Sequence, residues 1–188
     1  MKNSYALITG ASSGIGLEIA KSLAKRNYNI VLTARRQELL KKITKELIST
    51  YGVEADYISC DLMDPNAPGE LYAFCKQKGY QVDLLVNNAG YAIPTAFENT
   101  TMEDEEKFIR VLGISVIALC KLFIKDMLSK GKGRIMIISS VAAFAPPSAI
   151  QTLYGPIKTF MNRFSESLNI NYNHKGITST AVCPGYTI

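Results

Sequence analysis

Tyr5-Ala-Leu-Ile-Thr-Gly-Ala-Ser-Ser-Gly-Ile-Gly16 decides how this chain folds. The apolar run Tyr5-Ala-Leu-Ile reads as a strand covered on both faces, because it does not alternate. Glycines follow at 10, 14 and 16, and Ile15, Ile19 and Leu23 then recur four apart, as on one face of a helix. Strand, glycine-rich turn and helix in that order leave room for a tight turn and for the close approach of a pyrophosphate. The helix start adds free N–H groups and a partial positive charge that favour an anion.

Working outward, the same alternation repeats. Short apolar runs stand at Ile30-Val-Leu, Tyr57-Ile, Leu84-Leu-Val, Ile135-Met-Ile-Ile and Thr180-Ala-Val. Helical stripes lie between them, at Leu40, Ile43 and Leu47 and again at Ile157, Met161, Phe164 and Leu168. Such alternation predicts an α/β fold, with a doubly wound parallel sheet of about six strands, right-handed crossovers and helices on both faces. The expected strand order is 3-2-1-4-5-6. No internal repeat or linker divides the sequence, so 1–188 is read as a single nucleotide-binding domain. The loop Ala145-Pro-Pro-Ser interrupts one unit without dividing the chain.

The totals narrow the function. With 188 residues, 47% hydrophobic and 20% charged, the chain is long and apolar enough to build a core and too apolar for disorder. No apolar run reaches membrane-spanning length. The start, MKNSYALITG, lacks the long apolar region and cleavage site of a signal peptide, so the cytoplasm is the expected location. The formal charge of +5 is spread over helical segments such as KKITKEL, which argues against nucleic acid. Cys60, Cys75, Cys120 and Cys183 have no C-x-x-C spacing and read as small buried hydrophobes, so no metal site is expected. His174, the single histidine, reads as a surface helix end.

The end of the second strand discriminates between cofactors. An acid there would hold a ribose 2′-OH, but the sequence runs Leu32-Thr-Ala-Arg35-Arg36, with Ala34 where the acid is expected. A guanidinium suits a 2′-phosphate, and an acid would repel one. This predicts NADP(H) over NAD, with Arg35 as the selecting residue and Arg36 beside it.

Thr9-Gly-x-x-x-Gly-x-Gly16 has a spacing that resembles the short-chain dehydrogenase/reductase family, and later motifs agree in order. Asp61, followed by Leu62, resembles the family aspartate that contacts adenine. Asn87-Asn-Ala-Gly90 resembles its NNAG segment, with Asn88, Ala89 and Gly90 lining the adenosine site. Ile138-Ser-Ser140 ends the fifth strand. Tyr154-Gly-Pro-Ile-Lys158 matches Y-x-x-x-K, and Cys183-Pro-Gly-Tyr-Thr187 resembles the segment that embraces the nicotinamide. The resemblance implies a Rossmann-type fold and NADP(H)-dependent hydride transfer on a small-molecule carbonyl or secondary alcohol. Ser140, Tyr154 and Lys158 would be catalytic. Gly10, Ser12, Ser13, Gly14, Ile15, Gly16, Arg35, Arg36, Asp61, Leu62, Tyr154, Lys158, Pro184, Gly185 and Thr187 would contact cofactor. Tyr154 and Lys158, four apart, share a helix face, where an ammonium stabilises a phenolate. The phenol would exchange a proton with the substrate oxygen, and Ser140 would hydrogen-bond that oxygen. The family also implies a homodimer through its long helices, here near 104–130 and 154–173.

Four departures from the family pattern stand out. Leu112 takes the place of a relay asparagine. Tyr154 follows Ser140 by one residue more than usual, a difference a loop absorbs cheaply, and Ser139 fits worse. Pro156 lies inside the Tyr-Lys motif, which predicts a helix beginning close to Tyr154. Finally, no substrate segment or seventh strand follows Ile188, leaving the sixth strand as a sheet edge. A truncated product of a longer reductase is the expected origin, and a catalytically impaired nucleotide-binding or partner-binding protein is the alternative.

Overall fold

The computed structural model describes residues 4–147 and 152–185. Strands β1 (Ser4–Thr9), β2 (Asn29–Ala34), β3 (Ala55–Ser59), β4 (Gln81–Asn87), β5 (Gly133–Ile138) and β6 (Ile177–Val182) form one sheet in the order β3-β2-β1-β4-β5-β6. All five pairings are parallel, as the alternation requires. Helices α1 (Gly14–Ala24), α2 (Gln37–Tyr51), α3 (Ala67–Gln77), α4 (Met102–Ile109), α5 (Ser115–Lys130) and α6 (Tyr154–Tyr172) cross between the strands. No helix among the described residues is long and apolar enough to cross a membrane.

Two cores flank the sheet. One gathers α1 and α2 against Ile8, Ile30, Leu32 and Val86. The other gathers α3 to α6 against Leu7, Val31, Leu85 and Ile137. Successive strand residues point to opposite faces, so strands buried on both sides must be apolar throughout. The central strand β1 is buried at every position. Strand β6, last in the order among the described residues, is buried only at Ile177.

Two helical stripes differ from those read in the sequence. In α2, Leu40, Ile43 and Leu47 are buried as expected. In α1 the buried face is Gly16, Ala20, Leu23 and Ala24, so Ile15 and Ile19 are only partly covered. Small residues let this helix approach the sheet closely. In α6 the buried residues are Lys158, Met161, Asn162 and Ser165, with Ile157, Phe164 and Leu168 packed at the margin.

The expected long helix before β5 is not uniform. A capping box starts α4, with Thr101 Oγ1 accepting from the Asp104 N–H at 3.2 Å and Asp104 accepting from the Thr101 N–H at 3.0 Å. Arg110–Ile114 then forms a π-helical turn before α5 continues. Such wide turns leave a carbonyl without its usual helical partner. Here the Ser115 hydroxyl donates to the Val111 carbonyl at 2.7 Å.

The lower end of the sheet is joined backbone to backbone. Gly176 has φ +80°, and a Cβ on it would stand 1.9 Å from the Gly131 carbonyl oxygen. Only glycine lets β6 begin where α5 ends. His174 is exposed in a short 3₁₀ turn at the end of α6. Cys75 and Cys120 are buried, whereas Cys60 and Cys183 are half-buried, so the cysteine expectation holds fully for two of the four.

Candidate active site

All the candidate residues within the described chain lie at the C-terminal ends of the strands, where parallel sheets of this kind bind ligands. Thr187 lies outside the described residues.

The phosphate loop is held from the neighbouring strand end. Thr9 Oγ1 accepts the N–H groups of Asn88 at 2.9 Å and Ala89 at 3.0 Å. The Asn88 side-chain amide donates to the carbonyls of Thr9 at 2.9 Å and Gly10 at 3.1 Å. Asn88 therefore braces the loop, and Ala89 and Gly90 line the cleft beside it. A Cβ at Gly10 would stand 2.8 Å from Ala89 Cα, and one at Gly16 would stand 2.4 Å from Asn88 Nδ2. These two glycines serve the packing of loop on loop. Gly14 has open space where its side chain would be, and its φ of +56° is the conformation that calls for glycine there. Ser13 precedes α1 in extended geometry, without a side-chain cap. The first-turn N–H groups of α1, around Gly14, Ile15 and Gly16, thus have no side-chain partner at this cap.

Arg36 ties this loop to the end of β2. Its Nη2 donates to Ser12 Oγ at 2.8 Å and Ser13 Oγ at 2.7 Å, and its Nε donates to Ser12 Oγ at 3.2 Å. Both arginines line a cleft of about 210 Å³ with Gly10, Ser12, Ser13, Ala34, Asp61, Leu62, Ala89 and Gly90. No acid stands at Ala34, and the cleft carries two guanidiniums against the single carboxylate of Asp61. Asp61 sits in a turn in which its Oδ1 accepts the Met63 N–H at 3.0 Å. The sequence reading missed Thr33, Cys60, Met63, Tyr91 and Val111, which also line the cleft. Adjacency to Asp61 and Gly90 was the available signal for Cys60, Met63 and Tyr91. Tyr91 packs edge-on against Phe108, with ring centroids 5.5 Å apart.

Ser140 follows the end of β5, and Tyr154 and Lys158 open α6. This helix is tied to the turn after Ser140 by Thr159 Oγ1, which donates to the Ala143 carbonyl at 3.0 Å. The helix begins at Tyr154, so Pro156 falls in its first turn and kinks nothing. Lys158 is buried, and its Nζ donates to the Ile138 carbonyl at 2.8 Å. The same Nζ stands 5.5 Å from the centre of the Tyr154 ring. Burial pulls its ammonium down from the usual 10.5 to about 8, with a small opposing influence from Cys183. Ser139 is buried and its hydroxyl donates to the Lys158 carbonyl at 3.0 Å, which locks α6 onto β5. Ser140 Oγ accepts the Ala142 N–H at 3.1 Å. Ser139 is thus taken up by a backbone contact, whereas Ser140 stands at the start of the turn that follows β5.

On the far side of the site, Pro184 and Gly185 leave β6. The Val141 N–H donates to the Pro184 carbonyl at 3.0 Å, fixing this segment beside Ser140. Leu112 is buried in the π-helical turn, and its side chain faces Gly90. A hydrocarbon at that position supplies no side-chain proton carrier.

The comparisons agree with this geometry. The short chain dehydrogenase family profile matches residues 4–188. A very-long-chain 3-oxoacyl-CoA reductase from Anas platyrhynchos is 35% identical over 97% of this chain and 59% of its own length. Hydroxysteroid dehydrogenase-like protein 1 from Gallus gallus is 33% identical over 96% of this chain and 54% of its own length. The chain thus spans between half and two thirds of these relatives. A bulky-bulky ketone specific alcohol dehydrogenase from Comamonas testosteroni superposes with a TM-score of 0.92 at 31% identity, covering 98% of this chain and 74% of that one. A short-chain dehydrogenase from Sphingobium yanoikuyae in complex with NADPH gives 0.93 at 31% identity, covering 98% and 72%. With a parallel Rossmann-type sheet, a glycine loop braced by Asn88 and a Tyr154–Lys158 pair opening α6, the chain belongs to the short-chain dehydrogenase family.

Proposed function

We propose that this chain binds NADP(H) and serves hydride transfer between the nicotinamide and a small-molecule carbonyl or secondary alcohol. The observation that carries the reading is Lys158, buried with its Nζ 5.5 Å from the centre of the Tyr154 ring and held by the carbonyl of Ile138, two residues before Ser140. The residues fit the cofactor. Gly14 leaves space at an uncapped helix start, and Arg36 stands over the loop with Arg35 in a cleft lacking an acid at position 34.

When bound, NADP(H) supplies or accepts the hydride. In reduction, Tyr154 gives its phenolic proton to the carbonyl oxygen as that oxygen gains charge, and in oxidation it takes the proton back. Ser140 donates a hydrogen bond to the same oxygen and holds it in place. Lys158 holds positive charge near the phenol, and with one N–H taken by Ile138 it has others to offer cofactor hydroxyls. Val141 and Pro184 keep the nicotinamide-side segment against Ser140.

The impaired binding protein is the weaker reading, and the buried Lys158 next to the Tyr154 ring speaks against it. The same reading pairs two copies through α5 and α6, next to which Ile114 and on which Phe160 are each 47% exposed. Light scattering tests that pairing. The cofactor reading is tested by titrating the chain with NADPH and with NADH while following nicotinamide fluorescence. Tight NADPH and weak NADH binding is expected, and equal binding of both would remove the basis for assigning Arg35 and Arg36 to a 2′-phosphate.

A further inference from the structure

Below Tyr154 and Lys158, helix α6 continues the same face with Asn162, Ser165 and Asn169, at spacings of four, three and four. Asn162 and Ser165 are buried, where an apolar side chain would be the ordinary occupant. Each has a partner on β6 or just past it. Ser165 Oγ and Ser179 Oγ lie 2.8 Å apart, Asn169 Oδ1 accepts the Ser179 N–H at 3.1 Å, and Asn162 Oδ1 accepts the Cys183 thiol at 3.5 Å.

The last of these contacts differs from the others in its position. Ser165 and Asn169 hold the middle of β6, which among the described residues pairs with β5 alone. Asn162 holds the residue at which β6 becomes the Cys183–Gly185 segment. That segment is fixed from the opposite side as well, by the Ser139 N–H on the Val182 carbonyl at 2.7 Å and the Val141 N–H on the Pro184 carbonyl at 3.0 Å. It is therefore clamped between the strand end that carries Ser140 and the helix that carries Tyr154 and Lys158. The clamp has a backbone jaw, which any sequence provides, and a side-chain jaw, which depends on Asn162.

We propose that Asn162 is a positioning residue of the carbonyl site. It acts through Cys183 to set how far the Cys183–Gly185 segment stands from Tyr154 and Lys158, and so where the nicotinamide lies. This rests on the cofactor reading above. Affinity for the cofactor comes mainly from the phosphate loop and Arg36, at the other end of the ligand, so loss of the Asn162 contact displaces the nicotinamide end without releasing the molecule.

The test uses the whole chain with NADPH as the probe, and reads two quantities from one titration: the dissociation constant and the fluorescence of the bound nicotinamide. Asn162→Leu keeps the volume and removes the acceptor. Cys183→Ala removes the donor from the other side and changes little else, so it stands in if the first variant folds poorly. Both are expected to bind NADPH within about threefold of the parent chain, a loss under 1 kcal/mol. Both should change the intensity and emission maximum of the bound nicotinamide. Asn162→Asp, which keeps an oxygen acceptor at the same reach, should restore the parent signal. Parent-like fluorescence in Asn162→Leu and Cys183→Ala at saturation overturns the proposal and leaves the cofactor reading intact. A parent chain that binds no NADPH overturns both.

Discussion

Lys158→Met removes a buried cation while keeping the length of the side chain. In the fold the ammonium is held near pKa 8, against about 10.5 for the free group. Each pK unit corresponds to about 1.36 kcal/mol, so at neutral pH the charged form burdens the folded state by roughly 3 kcal/mol. The unfolded chain binds more protons than the folded one between the two pKa values. Stability of the parent chain therefore rises as pH rises through that window, because the lysine can lose its proton in place. The variant lacks this group and should not share the rise. Between about pH 7 and pH 9.5 the parent should gain about 2 kcal/mol relative to Lys158→Met. The variant also frees the Ile138 carbonyl, at a cost of about 1–3 kcal/mol, but that loss is the same at both pH values and drops out of the difference. Urea unfolding of both proteins at the two pH values measures the quantity directly. Parallel pH profiles, differing by a constant within about 0.5 kcal/mol, would refute the claim that Lys158 sits in its site as a burdened cation.

Three further outcomes are expected. Tyr154→Phe should lower turnover of a ketone substrate by about 10²–10⁴-fold, since only the proton donor is lost, while fluorescence titration shows NADPH binding within a few-fold of the parent. Arg36→Ala should weaken NADPH by about 10–100-fold and leave NADH nearly unchanged in the same titration, because a charge-assisted contact to the 2′-phosphate is removed. Gly176→Ala should cost about 3 kcal/mol or more, since it places a methyl group against the Gly131 carbonyl at a positive φ. Calorimetry should then show the melting temperature falling by roughly 6–12 °C.

All six runs read from the sequence are strands, and the inner ones were legible because a strand covered on both faces has no choice but to be apolar. The outer two, β3 and β6, are only partly covered and were legible by their place in the alternation. The phosphate loop and the Tyr154 helix start were legible because glycine and proline carry their backbone constraints in the sequence itself. Helix faces were less so. In α1 the chain buries Gly16, Ala20 and Ala24, which weigh little in a hydrophobic pattern yet permit the closest approach to the sheet. In α6 it buries Lys158, Asn162 and Ser165, whose polar atoms find partners on β5, on β6 and at Cys183. Such burial depends on tertiary partners that no local period reveals. The π-helical turn left no mark either, because Arg110-Val-Leu-Gly-Ile is an ordinary helical composition. Of the two arginines, the sequence favoured Arg35 for the phosphate. Both line the cleft, and Arg36 alone of the two makes contacts to Ser12 and Ser13 among the described residues, which spacing could not show.

The π-helical turn at Arg110–Ile114 is a place where chain length can change at little cost to what flanks it. A π-turn takes up one residue more than an α-helical turn over about the same rotation. Deleting one residue there would let α4 and α5 merge into a regular helix with each face turned as it is now. Phe108, now 2% exposed, would stay in the core, and the Thr101–Asp104 cap would keep its place. The same deletion inside α5 would instead rotate one side of the helix against the other by about 100°.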